Sequence, residues 1–195
     1  MKLFLIRHGD TDWELVESRG INGWARSFAP LSPLGRLQID TIASDYRLQE
    51  ASAILCSSYA RALESAARLS RELNKPLYVE YDLHEWLPQK DPLQPIDSQL
   101  LDRAGEDLRR EMVAGQADLQ VPWERLSEVR ERVHGVLRRY GHLESLVVVT
   151  HAVVISALVG LQRQVDHAEI VEFDLDLSVM QETAAEPGKL GVSSS

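Results

Sequence analysis

The sequence predicts an α/β fold, a three-layer sandwich in which a mostly parallel central sheet is flanked by helices. Three short apolar runs, at 3–6, 53–56 and 146–149, stop abruptly at polar residues, which is typical of strands buried on both faces. Between these runs, apolar residues recur at the spacing of amphipathic helices. Strands and helices that alternate in this way favour a parallel sheet with helices on both sides.

Start and stop signals define the first helices. Ser32-Pro33 marks a helix start ahead of the apolar residues within 34–42, and Ser57-Ser58 precedes a second helical pattern over 63–73. Lys75-Pro76 ends that second helix, and the residues that follow it predict a strand at 77–81.

The later elements differ in their patterning. Residues 123–140 carry valines and leucines on one face and charged residues on the other, which predicts a long amphipathic helix. Residues 152–159 are mostly apolar and predict a buried helix. Residues 170–177 alternate acidic and apolar side chains and predict a late strand, whose exposed edge would allow a homodimer.

A proline-bracketed segment, 87–122, interrupts this pattern with a charged helical stretch at 98–115. We interpret the segment as an excursion from the sheet and a candidate lid. No repeat or linker divides the chain, so we expect one domain over 1–182, followed by a flexible Gly/Ser-rich tail over 183–195.

Composition narrows the classes of partner. Apolar residues make up 44% and charged residues 26%, as in globular chains, and 30 acidic against 21 basic residues give a net charge of −9. This charge disfavours nucleic acid and anionic membranes, so any anion site must be local. The N-terminal residues become charged too early for a signal peptide, and no apolar run is long enough to span a membrane. With Cys56 as the single cysteine, a reducing cytoplasm is the expected location.

Basic and titratable residues follow the three strands. Arg7 and His8 come directly after the first apolar run, Arg61 follows the second by one helical turn, and His151 follows the third. Because the carboxyl ends of parallel strands are where ligands bind, these four side chains should converge on one edge of the sheet. Two arginines and an imidazole suit a phosphoryl group, which an imidazole can also attack.

Other chemistries lack their usual residues. No Gly-x-Ser-x-Gly or Walker A pattern occurs, and the six histidines show no paired helical spacing, so we expect neither acyl transfer nor ATP binding, and no metal or other cofactor.

An ordered series of motifs resembles the histidine phosphatase superfamily, the phosphoglycerate mutase-like family. The similarity covers about residues 2–160. The matching segments are Leu5-Ile6-Arg7-His8-Gly9-Asp10-Thr11, Asn22-Gly23-Trp24, Pro30-Leu31-Ser32-Pro33-Leu34-Gly35 with Gln38, Ser57-Ser58-Tyr59-Ala60-Arg61-Ala62, Leu83-His84-Glu85 and Thr150-His151-Ala152-Val153-Val154-Ile155.

The resemblance implies a two-step mechanism in which His8 attacks phosphorus and the phosphohistidine then passes its phosphoryl group to water. Arg7, Arg61 and His151 would bind the phosphoryl oxygens. Glu85 would donate a proton to the leaving oxygen and then accept one from water, with Asp82, His84 and Asp91 as substitutes.

The resemblance also suggests which residues bind substrate. They are Thr11, whose alternative role is to cap the following helix, Asn22, Ala152, and the entrance tryptophans Trp13, Trp24 and Trp86.

Three positions depart from the family pattern. Glu14 stands where the family commonly has Asn, so it either points outward or contacts a cationic or hydroxyl part of the substrate. Arg26 stands in a lengthened 25–29 loop where the family often has Asp, and Ala152 replaces a glycine.

The chain is shorter than the mutases of this family, which favours a phosphomonoesterase acting on a small phosphorylated metabolite. A phosphoglycerate mutase-type phosphotransferase and a catalytically weak phospho-ligand-binding module are the alternatives. Trp86, Arg103, Arg109 and Arg110 are candidate specificity residues.

Overall fold

A computed structural model describes residues 1–91, 94, 97–115, 120–160, 162–176 and 178. Five strands form one sheet, and six α-helices and three 3-10 turns connect them within these residues. The strands are β1 (Lys2–Arg7), β2 (Ala53–Ser57), β3 (Leu77–Glu80), β4 (Ser145–Thr150) and β5 (Ile170–Asp174). The helices are α1 (Trp13–Ser18), α2 (Pro33–Ile42), α3 (Ala60–Leu73), α4 (Ser98–Ala114), α5 (Leu126–Arg139) and α6 (Ala152–Val159). The 3-10 turns are Gly23–Phe28, Tyr46–Glu50 and Tyr81–Leu83.

The sheet has the strand order β3-β2-β4-β1-β5. The first four strands of that order run parallel, and β5 runs antiparallel to β1 at the edge. The prediction of a mostly parallel sheet flanked by helices is therefore confirmed. In the β1–β4 register Arg7 lies opposite Thr150, so the residues that follow these two strands emerge side by side.

Each face of the sheet has its own apolar core. Leu3 and Leu5 of β1 face one side and pack with the cluster that includes the buried residues of α5 and α6. Phe4 and Ile6 face the other side and pack with the cluster that includes those of α2 and α3. Alternating side chains of one strand thus contribute to both cores, which is why the central strands read as uninterrupted apolar runs.

Helix α5 begins three residues later than the sequence predicted. The residues ahead of it close the excursion onto the rest of the chain, since the Glu124 backbone N–H donates to the Leu87 carbonyl at 2.8 Å. The helix then starts where the Glu128 carboxylate accepts the Arg125 backbone N–H at 2.8 Å. A carboxylate at this position satisfies an N–H that the helix itself leaves unpaired.

The predicted strand at 77–81 ends at Glu80, because Tyr81 begins a 3-10 turn. The described part of the predicted strand at 170–177 is extended only to Asp174, and residue 177 lies outside the described residues.

The excursion at 87–122 is described except for residues 92–93, 95–96 and 116–119. Its helix α4 packs Leu108 and Met112 against the α5 side of the core. The predicted tail at 183–195 lies outside the described residues, and the homodimer through the β5 edge stays a prediction. None of the described helices has the length and apolar character needed to cross a bilayer.

Candidate active site

The predicted catalytic residues meet at the carboxyl ends of three neighbouring strands. Arg7 is the last residue of β1, and His8 follows it. His151 follows the last residue of β4, next to β1 in the sheet, and Arg61 lies in the first turn of α3, just after β2. The structure therefore brings these four side chains together, as the strand-end argument predicted.

His8 is buried with its ring oriented by two hydrogen bonds. Its Nδ1 lies 2.7 Å from the Gly9 carbonyl oxygen, and since a carbonyl only accepts, the ring proton is on Nδ1. The Nε2 lone pair accepts from the Arg61 Nε–H at 3.1 Å. Burial, together with the nearby Arg61 and Arg7 guanidinium groups, lowers the His8 pKa well below 6.5. The imidazole is therefore neutral at physiological pH, and its free lone pair is on Nε2.

The backbone that follows His8 is held by close packing against the start of α2. A Cβ on Gly35 would lie 2.1 Å from the Asp10 carbonyl oxygen, and one on Gly9 would lie 2.4 Å from the Gly35 carbonyl oxygen. The Ser32 hydroxyl donates to the Asp10 carboxylate at 2.5 Å, and the Asp10 backbone N–H donates to Gln38 at 2.8 Å. The 30–38 motif thus fixes the loop that follows His8.

His151 is fully buried beside His8, with ring centroids 5.0 Å apart. Its Nε2 lies 2.9 Å from the Ser57 hydroxyl oxygen, which also accepts the Tyr59 backbone N–H at 3.2 Å. Ser57 can then donate its own proton to Nε2, which assigns the ring proton to Nδ1. Burial lowers the His151 pKa well below 6.5, so this ring is also neutral.

Several buried polar side-chain atoms of the described residues lack hydrogen bonds, and three of them belong to Arg7, Arg61 and His151, which lie near His8. In the described part of the chain five buried side-chain atoms have no hydrogen-bond partner, and they are Arg7 Nε, Thr11 Oγ1, Trp24 Nε1, Arg61 Nη1 and His151 Nδ1. Four of the five belong to predicted phosphate-binding residues. Each unsatisfied buried donor costs about 1–3 kcal/mol, a cost that an anion rich in acceptor oxygens would remove.

Thr11 does not cap helix α1. The Asp12 side chain does so instead, accepting the Leu15 backbone N–H at 2.9 Å. The Thr11 hydroxyl is buried and has no hydrogen-bond partner within the described residues, and its role at a phosphate stays a prediction.

Glu85 lies at the end of a short loop that is anchored to β4. The Thr150 hydroxyl donates to the Leu83 carbonyl at 2.8 Å, and Arg132 donates to the Asp82 carbonyl at 2.5 Å. Glu85 Oε1 accepts the Trp86 backbone N–H at 2.9 Å. Desolvation raises the pKa of this carboxyl above 4.5, although the nearby Arg61 and Arg7 guanidinium groups act in the opposite direction.

A cavity with a volume of about 160 Å³ is lined by Arg61 and Glu85, among other residues. The three alternatives to Glu85 as proton donor do not line it, and they are Asp82, His84 and Asp91. The lining residues are Trp13, Gly23, Trp24, Arg26, Ser27, Tyr59, Arg61, Glu85, Trp86, Leu87, Pro88 and Gln89. The three tryptophans expected at the entrance are therefore all at the cavity.

Of the predicted site residues, Arg61, Glu85 and the three tryptophans line this cavity, whereas Arg7, His8, Thr11, Asn22, His151 and Ala152 do not. Asn22 is exposed, and its Nδ2–H donates to the Gly20 carbonyl at 3.0 Å, so its side chain serves the local turn. Ala152 is the first residue of α6, where a backbone N–H can face an anion. Arg109 and Arg110 line a different hollow beside Trp123, which shares no lining residue with the first. Arg103 is exposed on α4 and lines neither.

Two residues near the site were not selected as functional from the sequence. The ring of His167 lies 5.6 Å from that of His8, and its Nδ1 is 3.8 Å from an Asp10 carboxylate oxygen. Arg26 stacks on Trp13, with its guanidinium carbon 4.6 Å from the ring centre. His167 follows no apolar run, so nothing in the strand-end pattern indicated it, whereas Arg26 stood out only as a departure from the family.

The donor set of the site suits an anion. Arg26 and Arg61 line the cavity, and Arg61 donates to the neutral His8 ring. Within the described residues no cluster of His, Cys, Asp and Glu could hold a metal ion. The anomalous Glu14 is exposed in the first turn of α1, where a carboxylate is favourable.

Comparison with known proteins gives concordant results. A family model described as the histidine phosphatase superfamily (branch 1) matches residues 3–192. A probable phosphoglycerate mutase from Cronobacter sakazakii is 28% identical over 138 residues, which are 70% of this chain and 61% of that protein. A similar protein from Escherichia fergusonii is 26% identical over 82% of this chain and 74% of its own. The chain thus spans less than two thirds of the first of these relatives.

Solved structures share the fold. A mycobacterial glucosyl-3-phosphoglycerate phosphatase superposes with a TM-score of 0.65 at 21% identity, covering 88% of each chain. An α-ribazole phosphatase from Shigella flexneri superposes with a TM-score of 0.63 at 20% identity, covering 90% of this chain and 91% of its own.

Proposed function

The chain belongs to the histidine phosphatase superfamily, and from that premise we propose that it hydrolyses a small phosphomonoester through a phosphohistidine on His8. The observation that carries the proposal is the neutral His8 ring, whose Nε2 lone pair faces Arg61 amid buried donors that have no protein acceptor. A nucleophile next to such donors matches what phosphoryl transfer requires, since positioning and charge stabilisation provide most of its catalysis.

In the first step, His8 Nε2 forms a bond to phosphorus while the bond to the ester oxygen breaks. The Arg61 Nε–H, which donates to Nε2 in the structure, transfers its hydrogen bond to a phosphoryl oxygen and so exposes the lone pair. Glu85 gives its proton to the departing oxygen, and the raised pKa of this carboxyl favours the protonated form that the step needs.

In the second step, water attacks phosphorus opposite the imidazole. The Glu85 carboxylate takes the proton of this water, the nitrogen–phosphorus bond breaks, and inorganic phosphate leaves. Arg7, Arg61 and His151 donate to the phosphoryl oxygens in both steps, which stabilises the charge on the phosphoryl group in each transition state. The proposed substrates are small, because the cavity of about 160 Å³ is below the roughly 300–1,000 Å³ of pockets for drug-sized ligands.

Hydrolysis and mutase chemistry use the same phosphohistidine and differ in the acceptor. The named activity of the curated relatives keeps a phosphoglycerate mutase-type phosphotransferase as the second candidate. Glu14, the residue that suggested a catalytically weak binding module, is exposed in the first turn of α1, which gives that alternative no support from the site.

The test is turnover of p-nitrophenyl phosphate in the presence of chelator by the purified protein. We expect turnover by the unmodified chain, loss of turnover in His8→Ala and full turnover in the control His142→Ala, whose histidine is exposed. Brief reaction with ³²P-labelled ester should leave an acid-labile, base-stable label that the His8 variant lacks.

Turnover that survives His8→Ala, or that chelator abolishes, would contradict the proposal. Product that appears only after priming with a bisphosphate, with label moving between two sugar acids, would favour the mutase instead.

A further inference from the structure

Within the described residues, Arg26 differs from most of the other arginines that are at least partly buried. Eight arginines are at least partly buried, and five of these form an ion pair with a carboxylate. Those five are Arg36, Arg47, Arg68, Arg125 and Arg132. Within the described residues, the three that form no such pair are Arg7, Arg61 and Arg26.

Two of these three arginines have a role in the proposed mechanism. Arg7 and Arg61 together carry two positive charges, which match the two negative charges of a phosphomonoester. Arg26 adds a third charge at the same cavity, close enough for its guanidinium to help lower the pKa of Arg61. Glu85 lines the same cavity, but within the described residues no ion pair joins its carboxyl to Arg26.

The Arg26 side chain is held in place. Its guanidinium lies over the Trp13 ring at 4.6 Å, and Trp13 also lies 5.5 Å from the Arg61 guanidinium. Stacking engages the faces of a guanidinium and leaves its N–H edge available for a planar anion such as a carboxylate. The same 3-10 turn contributes Trp24, whose buried Nε1–H has no acceptor and whose side chain also lines the cavity.

We propose that Arg26, stacked on Trp13, binds a second anionic group of the substrate, so that the substrate is a small phosphomonoester that also carries a carboxylate or a second phosphate. This inference rests on the proposed function and specifies its substrate class. Trp86, Leu87 and Pro88 contribute apolar surface to the same cavity, so the anionic group should lie on the Arg26 side and away from these three residues.

The kinetic test compares two esters that differ only at one end, 3-phosphoglycerate and glycerol 3-phosphate. We expect kcat/KM to be about 10- to 100-fold higher for 3-phosphoglycerate, the range that one charge-assisted hydrogen-bonded pair provides. Arg26→Gln should remove this preference, because kcat/KM should fall by a larger factor for 3-phosphoglycerate than for glycerol 3-phosphate, and Arg26→Lys should restore part of it. Arg19→Gln is the matched control, since Arg19 is exposed at the end of α1 and does not line the cavity.

A binding measurement separates this inference from the proposed function. Phosphonoacetate should raise the melting temperature more than ethylphosphonate does, and Arg26→Gln should abolish the difference. If no ester is hydrolysed but the Arg26-dependent difference remains, the proposed function fails and this inference stands. Equal shifts by the two phosphonates, or an Arg26→Gln variant that loses activity equally on both esters, would overturn the inference.

Discussion

Replacing Glu85 by Gln tests the assignment of the proton donor. The amide has nearly the same shape, and its oxygen can still accept the Trp86 backbone N–H, but it has no proton to give to a leaving oxygen. General acid catalysis contributes about 10²- to 10⁴-fold, or about 3–5 kcal/mol of barrier. We therefore expect kcat/KM for an alkyl phosphate to fall by about that factor.

The leaving group decides how large the effect is. A p-nitrophenolate departs readily without a proton, so kcat/KM for p-nitrophenyl phosphate should change little in Glu85→Gln. The second step still needs a base for water, so the variant should release p-nitrophenol in a burst of about one equivalent and then turn over slowly. Rapid-mixing measurements at 400 nm would record this burst.

The pH profile gives a second readout. With His8 required neutral and Glu85 required protonated, kcat/KM for an alkyl phosphate should fall on the acid side through the lowered pKa of His8 and on the alkaline side through the raised pKa of Glu85. The alkaline limb should be absent in the Glu85→Gln variant. Asp82→Asn is the matched control, because Asp82 lies on the same loop but not at the cavity.

Misfolding would not explain a loss of activity. The Glu85 carboxyl has a raised pKa in the folded protein, so the folded state binds its proton more tightly than the unfolded state does. The contribution of Glu85 to the free energy of unfolding therefore falls as pH rises above 4.5, by about 1.4 kcal/mol for each unit by which its pKa is raised. Glu85→Gln should thus be at least as stable as the parent at pH 7. Equal losses of kcat/KM on alkyl and aryl esters would refute the role of Glu85.

Three further predictions concern the scaffold. Gly35→Ala should lower the free energy of unfolding by about 1–3 kcal/mol and reduce turnover, because the new Cβ would meet the Asp10 carbonyl. A Cβ on Gly135 in α5 would meet open space, so the control Gly135→Ala should be neutral or stabilising. Chemical denaturation of both variants measures the difference. Burial lowers the pKa of His8 and His151 below 6.5, so at acid pH the unfolded chain binds more protons than the folded chain does. The free energy of unfolding should therefore fall as pH drops below 6.5, by up to about 1.4 kcal/mol per pH unit for each histidine. A free energy of unfolding that stays constant from pH 7 to 5 would contradict this. Burial raises the pKa of the Cys56 thiol to about 12, so iodoacetamide should label it only after unfolding, and rapid labelling of the native protein would show the thiol to be accessible.

The sequence was sufficient for the sheet and for the convergence of the catalytic residues. Central strands such as β1 are buried on both faces, so their apolar runs are unambiguous, and the parallel order aligns the residues that follow them. Weaker patterns failed at element ends. The residues ahead of α5 are held out of the helix by a backbone hydrogen bond from Glu124 to Leu87, a contact between distant segments that no local pattern contains.

The side chains around the cavity were harder to predict than those at the strand ends, because their positions also depend on contacts between distant segments. Asn22 and Arg26 lie four residues apart beside one motif, but only the structure shows that the Asn22 side chain turns back to Gly20 while Arg26 stacks over Trp13. The direction of a side chain on a short turn depends on what packs above it. The resemblance could identify the segment that contains residues 22–26, but the packing around that segment determines which of its side chains lies at the cavity.

Desolvation prepares the nucleophile and the acid together. Burial disfavours a charge of either sign, so it lowers the pKa of His8 and raises the pKa of Glu85, and each residue is thereby shifted toward the protonation state that its step requires. The arginines oppose the second shift while they favour the first, because positive charge stabilises a carboxylate and destabilises an imidazolium. A bound phosphomonoester dianion would offset the charge of Arg7 and Arg61 and so remove that opposition. Substrate binding should therefore raise the pKa of Glu85 further, and the general acid is most fully protonated when a phosphate is present to receive attack.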